Sequence, residues 1–87
     1  MLNKIETHEI MTKRNARVKY RTQYIVMIIT SVVDQCDNDL GYVIYAADDE
    51  RELLEIPRDE YKDKLVAFTL GVAAESYPQI GNVVYYD

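Results

Sequence analysis

The chain has 87 residues, 48% of them hydrophobic, with three glycines, two prolines, no tryptophan and a formal charge of −5. A chain this short buries only about 60 to 65% of its unfolded surface, which excludes two independent cores, while its apolar content excludes a disordered body. Net acidity argues against non-specific binding to nucleic acid, and one cysteine excludes an internal disulfide or a four-thiolate zinc site and suits a reducing, cytoplasmic setting.

Residues 1–12 have weak periodicity, and "MLNKIETHEI" has acids where a secretory signal would be apolar, so this stretch reads as a tail or short helix on which little depends. From Arg17 the pattern alternates, with Val18, Tyr20, Thr22, Tyr24, Val26 and Ile28 on one face and Arg17, Lys19, Arg21 and Gln23 on the other. That period of two predicts a strand. From Ile25 to Val33 both faces turn apolar and β-branched, which favours a strand buried on both sides over the alternative, a buried helix from Gln23 to Asp39. The whole apolar run, Tyr24 to Val33, is ten residues, against the roughly 20 that a membrane-spanning helix needs, so no membrane is expected.

"DQCDNDLG", residues 34–41, reads as a turn. Asp and Asn belong in turns because their side chains bond the local backbone. On this reading Asp34, Asp37 and Asp39 are interchangeable with asparagine at less than about 1 kcal/mol. "YVIYAA" (42–47) then predicts a second strand and "DDER" a tight turn. "ELLEIP" follows as a third strand, with a short helix over "DDERELLEI" as its alternative. Pro57 followed by Asp59 and Glu60 fits a helix start, and Tyr61, Leu65, Phe68, Thr69 and Val72 fall on one helical stripe. The spacing predicts a core helix over about 57–76, anchored by Leu65 and Phe68. Gly71 is tolerable in it if a strand passes close by. "NVVYY" (82–86) predicts a last strand. The fold class is therefore α+β: a small, mainly antiparallel sheet of order β-β-β-α-β with one long helix on one face, in a single domain over 13–87.

Little in the chain carries catalytic chemistry. A calcium loop needs oxygen ligands at positions 1, 3 and 5, glycine at 6 and glutamate at 12; counted from Asp37, Gly41 falls at 5 and Tyr42 at 6, and counting from Asp34 fails too. Cys36 sits among aspartates, which oppose thiolate formation, and the sole histidine, His8, lies in the predicted tail. There is no phosphate-binding glycine loop, nucleophile elbow, zinc spacing or dinucleotide fingerprint, so neither an enzyme nor a cofactor is expected. A metal-dependent enzyme using Asp34, Asp37 and Asp39 is the least favoured reading.

Charge is polarised along the chain. Residues 10–33 contain no acid, while 34–63 contain eleven acids and three bases. The expected function is a non-catalytic protein-binding module, an adaptor or inhibitor docking onto a basic partner. The candidate surface comprises Asp48, Asp49, Glu52, Glu55, Asp59 and Asp63, with Tyr85 and Tyr86. One alternative is a self-associating subunit, a homodimer joined through the strand holding Tyr85 and Tyr86, whose edge lacks protective charge. A further alternative is a nucleic-acid binder using Lys13, Arg14, Arg17, Lys19 and Arg21, although on a strand the bases and the stacking tyrosines face opposite ways.

Overall fold

The computed structural model describes residues 1–73. The β-branched, doubly apolar run forms a central strand of the sheet. Residues 1–73 form β1 (Asn3–Lys4), β2 (Met11–Thr12), helix α1 (Lys13–Lys19), β3 (Tyr24–Ser31), β4 (Leu40–Ala47) and β5 (Val66–Leu70). Two 3₁₀ helices, Glu50–Glu55 and Arg58–Glu60, lie between β4 and β5. Among the described residues the sheet is five-stranded and antiparallel throughout, in the order β1-β4-β3-β5, and β2 also pairs with β4. The class is α+β with an antiparallel sheet.

Strand β3 is central, and its alternating side chains feed two cores. Ile25, Met27 and Ile29 face α1, joined by Ala16, Val43 and Ala67. Val26 and Ile28 face the opposite side, with Ile44, Tyr45 and Ile56. A strand buried on both faces reads as a near-continuous apolar run, as the sequence shows. The pairing slips between Val26 and Met27 and again between Ile29 and Ser31. Such irregularities bend a strand and increase its twist.

Several predicted elements differ. Residues 1–12 are neither a tail nor a short helix: β1 and β2 pair with the two ends of one edge of β4, and Ile5 and Met11 pack against the α1-side core. The strand starts at Tyr24, because residues 13–19 form α1 instead. Thr12 caps that helix by accepting the Asn15 N–H at 3.1 Å, and the Lys, Arg and Ala that follow are good helix formers. Arg17 and Lys19 lie in its last turn, where positive charge favours the helix dipole.

The third predicted strand, 52–57, is instead the first 3₁₀ helix. Asp49 and Glu52 close a capping box around its start. The predicted core helix over 57–76 is likewise replaced by the short Arg58–Glu60 3₁₀ turn and by β5, its last residues, 74–76, lying outside the described residues. Asp63 adopts a left-handed φ of 64°, which stops helical propagation, and Val66–Leu70 pairs in register with Ile28 back to Tyr24. The stripe of apolar residues at helical spacing is also compatible with a strand, and pairing with β3 decides between them. Leu65 is consequently 56% exposed and is no core anchor, whereas Phe68 packs against the Val26–Ile28 core and meets Tyr61 edge-on at 5.8 Å between ring centroids. The predicted strand over 82–86 lies outside the described residues.

Two glycines allow close backbone contacts. A Cβ on Gly41 would overlap the Ile28 carbonyl oxygen, and one on Gly71 would overlap the carbonyls of Tyr20 and Arg21, where the chain leaving β5 crosses the end of α1. The expected approach of another segment at Gly71 is present, although that residue follows a strand. Gly41→Ala should cost about 2 to 3 kcal/mol by forcing β3 and β4 apart, measured by urea unfolding. Phe68→Ala should cost about 2 to 4 kcal/mol and Leu65→Ala less than about 0.5 kcal/mol. Equal losses from those two would restore the helical stripe.

Candidate functional site

The acidic segment divides into carboxylates with internal partners and carboxylates that face solvent. The Asp49 carboxylate accepts the Arg51 backbone N–H at 2.9 Å and pairs with its guanidinium at 2.8 Å. The side-chain hydrogen bond from Arg51, then its backbone N–H, pull the Asp49 carboxyl down to about 2. Glu52 accepts the backbone N–H groups of Asp48 and Asp49 at 3.1 and 2.9 Å, completing the cap. The Met1 amino group lies 2.9 Å from Asp48 and 3.0 Å from Glu52, and Gln23 also donates to Asp48 at 3.1 Å. Asp48, Asp49 and Glu52 therefore hold the first 3₁₀ helix together. Glu55, Asp59 and Asp63 are exposed, and beside Glu55 the Leu54 side chain is 87% exposed. Tyr85 and Tyr86 lie outside the described residues.

Glu60 performs a different task. The Tyr45 hydroxyl donates to its carboxylate, and Lys4 pairs with it at 3.1 Å, so one carboxylate ties β1, β4 and the second 3₁₀ helix together. The hydrogen bond to Glu60, then burial, push the Tyr45 hydroxyl up to about 12, while the same hydrogen bond, then Lys4, lowers Glu60. Neither residue stands out in the sequence, since the pairing spans 15 positions with no local pattern.

The basic residues form no single stripe. Lys13 is 1% exposed, buried in the first turn of α1. The Arg17 guanidinium bonds Asp37 at 3.1 Å and the Leu70 carbonyl at 2.8 Å. Arg14, Lys19 and Arg21 are exposed, with Asp37 3.9 Å from Arg14 and Glu9 3.6 Å from Lys19. Residues two apart on a helix point to different sides, which separates Arg17 from Lys19.

The aspartate loop is a turn that also docks α1. Asp34 accepts from the backbone of Cys36 at 2.8 Å and from the Asn38 side chain at 2.7 Å, the local bonding expected of a turn aspartate. Asp37 reaches Arg17. Asp39 is different: only 4% exposed, its Oδ1 accepts the N–H groups of Val33, Asp34 and Gln35 at 2.7, 3.0 and 3.0 Å. The Val33 bond is the largest influence holding this carboxyl below the usual carboxylate range, with the other two N–H groups and the charge of Lys13 adding to it. The backbone N–H groups of Lys13 and Arg14 bond the carbonyls of Asp39 and Asp37, both at 2.9 Å, satisfying orphan donors at the helix start. The three aspartates thus serve separate partners, and Asp39 is buried where the turn reading expected an open surface. Among the described residues, no three His, Cys, Asp or Glu side chains are grouped to hold a metal ion. Cys36 is exposed on this loop, and His8 stacks on Tyr42 at 4.6 Å between ring centroids.

Compared with known proteins, the chain matches no family model, no curated protein and no solved structure. Among the described residues no helix is long and apolar enough to cross a membrane.

Two measurements test this wiring. Asp39→Ala should lower the melting temperature by roughly 5 °C or more, and Asp34→Asn by much less, in thermal unfolding at neutral pH. Because the folded Asp39 carboxyl is depressed, its contribution is present above the ordinary carboxylate range and is lost as pH falls through its lowered value. The wild type and Asp39→Ala should therefore converge in strong acid. For Tyr45 the sign reverses. Its raised value means the contribution is complete below about 10 and is lost as pH rises through about 12. Ultraviolet titration should show a late-ionising component that is missing from Tyr45→Phe.

Proposed function

We propose that the protein is a non-catalytic binding module that docks the acidic ridge over residues 50–63 onto a basic protein partner. The observation that carries the reading is Leu54, a large apolar side chain left 87% exposed at the tip of a capped 3₁₀ helix, beside Glu55 and on the same turn structure as Glu50. A lone exposed leucine is ordinary on a surface. This one stands on a segment whose start is fixed by Asp49 and Glu52 and whose following turn is tied down through Glu60 and Tyr45. A rigid apolar tip flanked by negative charge suits an anchor-and-steer interface: the apolar group fills a pocket, and the carboxylates raise the encounter rate with a positive surface. Held geometry reduces the ordering cost of association. Exposed Glu50, Glu55, Asp59 and Asp63 supply negative charge in excess of exposed Arg51, Arg58 and Lys62, while the acids bonded to the backbone and to neighbouring side chains supply the rigidity.

Affinity capture from a native lysate, at about 50 mM and about 500 mM salt, tests the reading with wild type, Leu54→Ser and Glu55→Lys. A specific partner should be retained at low salt and weakened at high salt. Both substitutions should reduce its retention at least about tenfold while leaving the melting temperature unchanged, because both side chains are exposed. Identical capture by wild type and Leu54→Ser, or no specific capture, would remove the ridge from consideration.

A further inference from the structure

Among the described residues, one long edge of the sheet has no strand beside it. Strand β5 ends the order β1-β4-β3-β5, whereas the outer edge of β4 is taken by β1 and β2. The Ile29 N–H bonds the Leu65 carbonyl and the Gly71 N–H bonds the Gln23 carbonyl, both at 2.8 Å, so the odd-numbered residues of this strand face β3. By the alternation of an antiparallel ladder, the N–H and C=O groups of Val66, Phe68 and Leu70 point the other way. Such an edge is ordinarily protected by charge, proline or a bulge, and Val66–Leu70 carries none of them. Leu70 is 8% exposed, and Val66 and Phe68 are half-buried, so these backbone groups lie where a hydrogen-bond partner matters most.

The chain itself supplies a partner of matching length. The N–H groups of Val72 and Ala73 bond the carbonyls of Arg17 and Arg21 at 3.1 and 2.8 Å, which delivers the chain to the Leu70 end of this edge. A segment that returns along the edge from there runs antiparallel to β5. Residues 74–81 include Pro78 and Gly81, both suited to a reversal, and "NVVYY" (82–86) then matches the five residues of β5 one for one.

We propose that residues 82–86 occupy this edge as a sixth strand antiparallel to β5, with Asn82 opposite Leu70, Val84 opposite Phe68 and Tyr86 opposite Val66. Charge favours the same register, because Asp87 then arrives beside Leu65 and the exposed Lys64. The pairing gives Val66, Phe68 and Leu70 the backbone partners that β3 does not. It also assigns the edge within one chain, so that Tyr85 and Tyr86 serve their own sheet and not a homodimer.

Nuclear magnetic resonance on the full-length protein tests the pairing. Opposed residues that exchange no hydrogen bonds lie about 4.5 Å apart at Cα, so Hα–Hα contacts should join Ala67 to Tyr85 and Thr69 to Val83. The Val66, Phe68 and Leu70 amides should exchange with deuterium at least about tenfold more slowly than free amides. Val84→Pro removes the N–H that would bond the Phe68 carbonyl. It should raise exchange at those three amides about tenfold while the amides of Ala67 and Thr69, which face β3, stay protected. If that variant does not fold, the wild-type contacts decide. The proposal is overturned if neither Hα–Hα contact is found, or if the three amides exchange as free ones. It is overturned equally if their protection is unchanged in a folded Val84→Pro protein. Contacts that join labelled to unlabelled chains in a mixed sample would assign the edge to a second copy and overturn it as well.

Discussion

The Asp39 carboxylate, 4% exposed, sits where three successive backbone N–H groups converge, and the geometry around α1 depends on that convergence. Burying a carboxylate is costly unless it is hydrogen-bonded, and here Oδ1 alone takes three donors. The same residue places its backbone carbonyl against the Lys13 N–H, which fixes the start of the helix whose Ala16 closes one core. Removing the side chain would therefore free the backbone of residues 33–35 beside the carbonyl that holds the helix terminus. Buried networks of this kind specify a geometry more than they add stability, because the desolvation of Lys13 and Asp39 offsets much of their attraction.

What was legible in the chain follows from how local each determinant is. The strand over Tyr24–Ser31 was readable because β-branched residues on both faces leave few other options, and β4 was readable from its apolar run behind Gly41. The residues of β5 were misread because their apolar spacing fits a helix as well as a strand, and the deciding interaction is pairing with β3, some 40 positions earlier, for example Phe68 with Val26. Helix α1 was misread because the alternation of Val18 and Tyr20 with bases obscured the Thr12 cap. The capping box of Asp49 and Glu52 was a local signal that could have been found, since Asp-x-x-Glu before an apolar pair marks a helical start. The Arg17–Asp37 and Tyr45–Glu60 pairs had no such signal, as each joins residues far apart in sequence.

Charge illustrates the difference between composition and placement. Read as a string, the chain offers a basic block and an acidic block, each resembling a surface for a partner of opposite sign. In the fold, Arg17 pairs with Asp37 at 3.1 Å, and Lys13 is buried where its charge helps to lower the Asp39 carboxyl. The two blocks are therefore partly each other's partners. Formal charge per segment is a weak guide to binding wherever the fold brings opposite segments into contact.

The charges that remain outside are ordered by what the inner ones do. Asp49 and Glu52 fix the first 3₁₀ helix, and Glu60 fixes the second through Tyr45 and Lys4, so the exposed acids between and beyond them stand on a backbone with few ways to move. Exposed charge on a mobile loop loses side-chain and backbone entropy when it is ordered by a partner, whereas charge on a pinned turn loses mainly the former. Any functional weight of the acidic segment thus lies in a division of labour: carboxylates bonded within the segment and to its neighbours set the shape, and those facing solvent alone are presented by it.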